Sequence, residues 1–390
     1  MNTVRIGVIG VGNMGSAHVQ TIGRGQVNGL QLTAAADIDA ARLEWVKENF
    51  PGVACYSSAQ ALLESGSVDA VVIAVPHWFH PDIAIQAMEK GLHVLTEKPA
   101  GVSVSQVQRM NEVHARTGRV FGIMFNQRTN QLFAQARQLV QSGQLGQPKR
   151  LVWIITNWYR SQPYYDSGAW RASWRGEGGG VLLNQAPHNL DLWQWIFGMP
   201  SRIRAFCDVG KYHHIEVEDD ATIYAEYENG ARATFITTTG EYPGTNRLEI
   251  SGDRGKLVLE DGVLKHWQLD RPERAYCFDA PGTPPPAVTY TETRQTEPES
   301  AHRGILQNFA DAILHGTPLL APGEDGLREL SLSNAAYLSS WREDWVTLPL
   351  DADAFDHALA ERVRQSTYAP STVTPEATDG KYKTRWSVQW

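Results

Sequence analysis

Cysteine is scarce in this chain: Cys55, Cys207 and Cys277 are the three among 390 residues. They lie far apart and make no ligand-like spacing. Reduced thiols in a reducing compartment are therefore expected, rather than a disulfide framework or a cysteine-based metal site. Long apolar runs are missing as well, and none reaches the roughly 20 residues that a bilayer crossing needs. No basic cluster or aromatic-basic stripe stands out, and a formal charge of −8 argues against nucleic acid or an anionic membrane as the main partner. The chain enters a strand at once, without a signal-like segment, so a cytoplasmic location is expected. There is no internal repeat. The length suits two domains, and a 42% apolar, 20% charged composition suits a soluble globular protein.

One stretch concentrates chemistry: Gly178 to Leu192, reading GGGVLLNQAPHNLDL. Three consecutive glycines let the backbone approach something closely, because no Cβ stands in the way. Asn184, His188 and Asp191 then follow as a spaced polar set, and Pro187 suits the first turn of a helix. On a helix running to about Phe197, His188, Asp191 and Trp195 share one face. Ala186, Leu190, Trp193 and Phe197 share the other and would pack into the core. Such a helix presents an imidazole and an amide to a cavity. A lone helical histidine is otherwise a structural group, so the rest of the chain decides its role.

The N-terminal part reads as a nucleotide site. The apolar run Val4 to Ile9 leads into Gly10-Val11-Gly12-Asn13-Met14-Gly15, and a helix follows from Ser16 to Ile22. Glycines in that strand–turn–helix context allow a tight turn and a backbone approach to a pyrophosphate, which the helix start stabilises. A second strand, Leu30 to Ala36, ends in Asp37. A carboxylate there binds both ribose hydroxyls and repels a 2′-phosphate, so NAD is expected over NADP. The strand Val68 to Val75 runs into Pro76-His77-Trp78-Phe79-His80, at the sheet edge where ligands bind in such folds. A helix from Pro81 to Lys90 precedes the strand His93 to Thr96 and Glu97-Lys98-Pro99. Another, Ser105 to Thr117, precedes the strand Val120 to Phe125. The alternation gives a doubly wound parallel sheet of the Rossmann type. Lys98, at a strand end beside the expected nicotinamide, can polarise a substrate hydroxyl or relay a proton; its structural alternative is a salt bridge to Glu97.

These segments resemble the Gfo/Idh/MocA oxidoreductases. The matching pieces are GVIGVGNMGSAH at 7–18, VIAVPHWFHPDIAIQAMEKGLHVLTEKPA at 72–100, MFNQR at 124–128 and the 178–192 stretch. Further matches are VEDDATIYAEYENGARATF at 217–235 and NFADAILHGTPLLAPGEDGL at 308–327. The resemblance implies an N-terminal dinucleotide-binding domain and a C-terminal α+β domain whose large open antiparallel sheet makes oligomer contacts, in a homodimer or homotetramer. It also implies catalytic roles for Lys98 and His188, with Lys98–Pro99 cis. The family's usual Asp four residues before the histidine is Asn184 here. An amide cannot accept a proton at neutral pH, so Asn184 can only orient substrate or imidazole.

The expected division is 1–125, 126–350 and a tail at 351–390. In the middle part a helix (Gln131 to Ser142) and a strand (Pro148 to Thr156) lead into a stretch from Asn157 to Arg175 dense in Trp, Tyr and Arg. Aromatic faces with guanidinium donors suit a sugar ring, and Arg160, Tyr164 and Trp174 are the candidate substrate contacts, with Asn184 and His188. Strands at Arg202 to Cys207, Ala221 to Glu228, Ala231 to Thr238, Arg247 to Ser251 and Lys256 to Glu260 read as an antiparallel meander. His213, His214, Glu216, Glu218, Asp219 and Asp220 lie on alternating strand faces and cannot all converge, so no metal is expected. Thr283 to Ser300 reads as a surface loop. Helices follow at Arg303 to His315 and Leu327 to Trp345. The tail carries a short helix and an aromatic, basic ending (Lys381 to Trp390) suited to docking on a neighbour. The expected activity is NAD-dependent hydride transfer from a secondary alcohol of a sugar, sugar derivative or cyclitol. The alternatives are a redox-neutral glycoside-cleaving or epimerising enzyme that retains NAD, and a non-catalytic ligand sensor.

Overall fold

A computed structural model describes residues 3–296 and 298–369. Its first layer is a sheet of β1 (Val4–Ile9), β2 (Leu30–Ala36), β3 (Ala54–Tyr56), β4 (Ala70–Ile73), β5 (His93–Thr96) and β6 (Phe121–Ile123). All neighbours pair in parallel, in the order β3-β2-β1-β4-β5-β6. The inner strands do not alternate apolar with polar because both faces are covered: Ile6, Val8, Val71, Val72 and Ile73 are fully buried, as continuous apolar runs in a parallel sheet require. The covering helices are α1 (Asn13–Gly23), α2 (Ala40–Asn49), α3 (Ala59–Glu64), α4 (His80–Glu89) and α5 (Val104–Thr117). Asp39 caps α2, and a Ser103/Gln106 capping box starts α5; both satisfy otherwise orphaned helix-start N–H groups. The strand order reverses between β1 and β4, which opens a crevice at their C-terminal ends.

The second layer follows α6 (Gln131–Gln141). Its nine strands are β7 (Pro148–Ile155), β8 (Arg202–Val209), β9 (Glu218–Glu226), β10 (Arg232–Thr238), β11 (Asn246–Gly252), β12 (Gly255–Glu260), β13 (Val263–Leu269), β14 (Val288–Arg294) and β15 (Val346–Thr347). They run in the order β14-β13-β12-β11-β7-β10-β9-β8-β15. The sheet is mostly antiparallel, but the expected pure meander is corrected by the parallel pairing of β7 with β10. The expected loop at Thr283 to Ser300 is corrected too, because β14 lies inside it. Its alternating VTYTETR pairs with β13, and Tyr290 packs on Trp267 with ring centroids 5.0 Å apart.

Between β7 and β8 come α7 (Gln162–Tyr165), α8 (Val181–Asn184) and α9 (Pro187–Phe197); α10 (Glu273–Cys277) sits beyond β13. Trp193 of α9 stacks on Phe235 of β10 and fixes α9 against the inner sheet face. The opposite face, with Val152, Ile154, Tyr224 and Ile236 half-buried and Phe206 exposed, carries less cover. After the sheet, α11 (Ala301–His315), α12 (Gly326–Arg342) and α13 (Ala352–Gln365) return to the first layer. Here α11 touches β1, and α12 packs on both α5 and α9. Asn334 seals the α12–α5 seam, accepting from Val104 N at 3.0 Å and donating to Val102 O at 3.1 Å. The ending Lys381 to Trp390 lies outside the described residues.

Candidate active site

A cavity of about 710 Å³ fills the crevice. Its floor is the glycine turn between β1 and α1. Gly10 has φ +87°, and a Cβ there would stand 2.5 Å from the Ala74 carbonyl oxygen. A Cβ on Gly15 would stand 1.8 Å from the Gly10 carbonyl oxygen, so that glycine serves the turn and does not line the cavity. Gly12, Asn13 and Met14 do line it, and α1 begins with neither a side-chain cap nor an acidic residue in its first turn. Its partial positive charge is left for an anion. At the far wall Asp37 accepts from Val11 N (2.6 Å) and Asp39 N (2.9 Å), and Arg42 stands 3.5 Å away. Each carboxylate oxygen keeps a lone pair for a ribose hydroxyl. Arg42 was missed from sequence, although it lies on the first turn of the helix that follows Asp37.

Pro76, His77, His80, Glu97 and Lys98 line the opposite side. His80 places both ring nitrogens 2.7 Å from carbonyl oxygens, those of Pro99 and Val75, and so ties the β4 and β5 ends together. Two carbonyls favour a doubly protonated ring, but burial outweighs them and lowers its pKa. The Glu97 carboxylate is bound to His18 and not to the Lys98 ammonium. Burial alone would raise its carboxyl, yet the 2.7 Å bond to His18, with the charges of His18, His302 and Lys98, holds it down at about 2. Lys98, across a cis peptide bond from Pro99, instead donates Nζ to the Asn184 carbonyl oxygen at 2.7 Å. The expected Glu97–Lys98 alternative is thus replaced by a bond between the two layers.

Burial is the main force lowering the Lys98 pKa; Arg171 and Arg160 add to it, against Glu97 and Glu329. His188, 8% exposed in α9, is pushed well below its ordinary 6.5 by burial first and then by Lys98 and His302. The imidazole is neutral there, and it stands within electrostatic reach of Lys98 without lining the cavity. Asn184 and Tyr164 do line it. The Tyr164 hydroxyl gathers Arg171 Nη1 (2.9 Å), Gln185 Nε2 (3.0 Å) and Asn184 Nδ2 (3.3 Å). Trp170 and Arg171 complete this end; sequence reasoning saw them in the aromatic stretch but did not single them out. Glu329 was missed entirely. It is fully buried in α12, its carboxyl oxygens have no hydrogen-bond partner among the described residues, and burial, then Asp191, pushes its pKa well up.

Several expectations change. Trp174 is a core residue: it packs edge-on against Tyr337 and Trp341, both at 5.4 Å, and is not a cavity wall. Arg160 donates to the Tyr159 carbonyl (2.8 Å) and lies over the Tyr164 ring, behind the wall and not in it. Asp191 does not share a cavity face with His188; it forms a buried two-bond pair with Arg128, at 2.9 and 2.6 Å, and Arg128 also holds Asp325. The glycine triplet approaches protein, not ligand. Cβ atoms on Gly178, Gly179 and Gly180 would strike Val102, the Tyr337 hydroxyl and the Glu218 carbonyl. Glu218 accepts from Gly180 N and Leu182 N, both at 2.8 Å, which holds the start of α8. Asp219 likewise serves the Lys211–His213 turn. No metal-like cluster occurs among the described residues.

A glycine turn at a topological switch point, an uncapped helix start and a strand-end carboxylate together fit a dinucleotide, with Lys98 lining the cavity's far end. That defines a dinucleotide-binding enzyme of the doubly wound class. Residues 4–125 match the family model described as an oxidoreductase family with an NAD-binding Rossmann fold. Residues 133–258 match the GFO/IDH/MocA C-terminal domain. The chain belongs to the GFO/IDH/MocA oxidoreductases. Among its relatives, the myo-inositol 2-dehydrogenase of Thermotoga maritima is 25% identical over 347 residues, covering 85% of this chain and 95% of that protein. The scyllo-inositol 2-dehydrogenase (NAD(+)) of Bacillus subtilis is 25% identical over 342 residues, covering 85% and 93%. The WlbA dehydrogenase of Bordetella pertussis, solved with NADH and UDP-GlcNAcA, shares the fold. Its TM-score is 0.75 at 24% identity, covering 90% of this chain and all of that one.

Proposed function

We propose that this enzyme transfers a hydride between a secondary alcohol of a sugar, sugar derivative or cyclitol and NAD. The observation that carries the reading is the Lys98 ammonium. It is held 2.7 Å from the Asn184 carbonyl, at the end of a cavity whose other end is Asp37. The inositol dehydrogenases among the relatives support the substrate class.

Gly10, Gly12, Asn13 and Met14 would hold the pyrophosphate and Asp37 the adenosine ribose, with His77, His80, Pro76 and Glu97 shaping the nicotinamide end. Bound NAD supplies the hydride acceptor. Lys98 binds the alcohol oxygen and favours its developing negative charge. His188, neutral because it is buried, takes the hydroxyl proton by way of Lys98, since the imidazole does not itself line the cavity. Asn184, Tyr164 and Arg171 orient the remaining hydroxyls. A panel of sugars, glycosides and inositols tested with NAD, read as NADH absorbance, decides the matter: sustained NADH formation with a polyol is expected. Its absence across the panel would sink the reading.

The half-buried open sheet face with exposed Phe206 supports a homodimer or homotetramer, which light scattering in solution checks. The three free cysteines suit a cytoplasmic setting. No described helix is long and apolar enough to cross a membrane.

A further inference from the structure

Asn184 lines the cavity through a short side chain whose two ends do different things. Its Nδ2 is engaged twice, by the Glu177 carboxylate and by the Tyr164 hydroxyl at 3.3 Å. Glu177 is 1% exposed. Its Oε2 accepts from Ala172 N at 2.7 Å, and Arg171 stands 3.9 Å from its Oε1. Burial raises its pKa, and Arg171, the Ala172 N–H, Asn184 and Lys98 pull the other way. Among the described residues the groups hydrogen-bonded to the carboxylate, Ala172 N and Asn184 Nδ2, are donors, and an ionised carboxylate can only accept. The amide therefore cannot reverse without setting an oxygen against an oxygen.

We infer that Glu177 is a positioning residue for the substrate site: it pins the Asn184 amide so that Oδ1 faces the cavity as a fixed acceptor for a substrate hydroxyl. This rests on the dehydrogenase reading and deepens it. A carboxylate has been set one residue's reach behind the wall, and a neutral oxygen stands in front. The substrate hydroxyl meets a directional acceptor, and the wall position itself adds no further carboxylate to Glu97, which already acts on Lys98. The Glu177–Asn184 pair does jointly what a single wall carboxylate would do alone, with the charge one side chain further back from the wall.

The test is a swap of donor and acceptor. In E177Q a single carbonyl oxygen must serve either Ala172 N or Asn184 Nδ2, and the new NH2 meets the other donor, so the Asn184 amide is no longer pinned one way round. In N184D two carboxylates face each other; Arg171, Lys98, Tyr165 and Tyr368 also act on Glu177, His77 bonds its carbonyl oxygen and the Tyr164 hydroxyl bonds position 184. In E177Q/N184D the new amide at position 177 donates to the new carboxylate at position 184, so one oxygen again faces the cavity. Each variant is measured for kcat and KM on the best polyol, for NADH affinity by fluorescence, and for unfolding midpoint against pH. E177Q and N184D should each lose at least tenfold in kcat/KM, on the order of one removed oriented contact, with NADH affinity within about twofold. N184D should also lose stability as pH rises, when both acids must ionise. The double variant should recover most of the lost activity and the pH-stability curve. Losses that simply add in the double variant, or full activity in E177Q or N184D alone, would overturn the pairing. If the wild type turns over no polyol, the dehydrogenase reading fails by itself, and the pH-stability cycle still decides the pairing. If E177Q does not fold, N184D alone decides it: an unchanged pH-stability curve refutes the pair.

Discussion

On the proposed reading, Asp37 carries the choice of coenzyme. Both of its oxygens already accept backbone N–H groups, so the carboxylate is held rigidly at the strand end where that reading puts the adenosine ribose. Like charges brought together there cost several kcal/mol, and NAD should bind at least about a hundredfold more tightly than NADP when the two are titrated in turn. Arg42, 3.5 Å away, makes the reverse change informative: D37A should cut that preference to about tenfold or less, because the guanidinium, then opposed only by the more exposed Asp39, can face the phosphate. His188 makes a second prediction. Its pKa lies well below 6.5 because the ring is buried beside Lys98, so the neutral form persists as pH falls. The acid limb of kcat/KM for alcohol oxidation should have its midpoint below pH 6.5. H188A should lose roughly 10²- to 10⁴-fold in turnover with NADH affinity unchanged. A limb centred above the ordinary histidine value, or one that survives in H188A, would assign the proton elsewhere.

At the scale of elements, much was legible because it depends on neighbours in sequence. The apolar runs of β1, β2 and β4, the glycine turn and the Glu97-Lys98-Pro99 strand end are local signals, and each stands where periodicity put it. Contacts across the chain were not legible. Asp191 looked like a cavity residue because its partner, Arg128, is 63 positions away. The glycine triplet looked like a ligand cradle because Val102, Glu218 and Tyr337 come from three other parts of the chain. β14 hid behind its proline-rich approach, since pairing with β13 and not composition makes it a strand. Glu218 gives this scale its prediction. Burial raises its carboxyl from 4.5 to about 7, against the pull of Tyr337 and of the Gly180 and Leu182 N–H groups. A raised folded-state value means the stabilisation is full below about 4.5 and is lost as pH rises through about 7, on the order of 3 kcal/mol. E218Q, which mimics the protonated acid, should flatten that part of the stability curve. E218A should cost about 3 kcal/mol in denaturant unfolding, because two buried N–H groups and a hydroxyl lose their acceptor.

Over the whole molecule, the chain's last described helix closes onto what comes long before it. Phe355 of α13 stacks on Trp341 (5.6 Å), and Ser105 at the start of α5 hydrogen-bonds Asp356. Just beyond, Ser366, Thr367 and Tyr368 all bond the Glu216 carboxylate, and the Tyr368 hydroxyl reaches Asp166 at 3.2 Å. Ending the chain after Gln365 should therefore leave the fold intact but raise KM for the polyol several-fold, with NADH affinity unchanged, because the segment carrying Tyr164 and Arg171 loses its outer brace. An unchanged KM would show the brace to be dispensable. The bond from Lys98 to the Asn184 carbonyl has the widest reach. The ammonium belongs to the first layer and the carbonyl to the layer that carries His188, so a parting of the two layers would also unlatch the lysine from the segment that leads into the His188 helix. On the proposed reading, an opened crevice would be a crevice with its lysine out of place, and chemistry would wait for the layers to meet again.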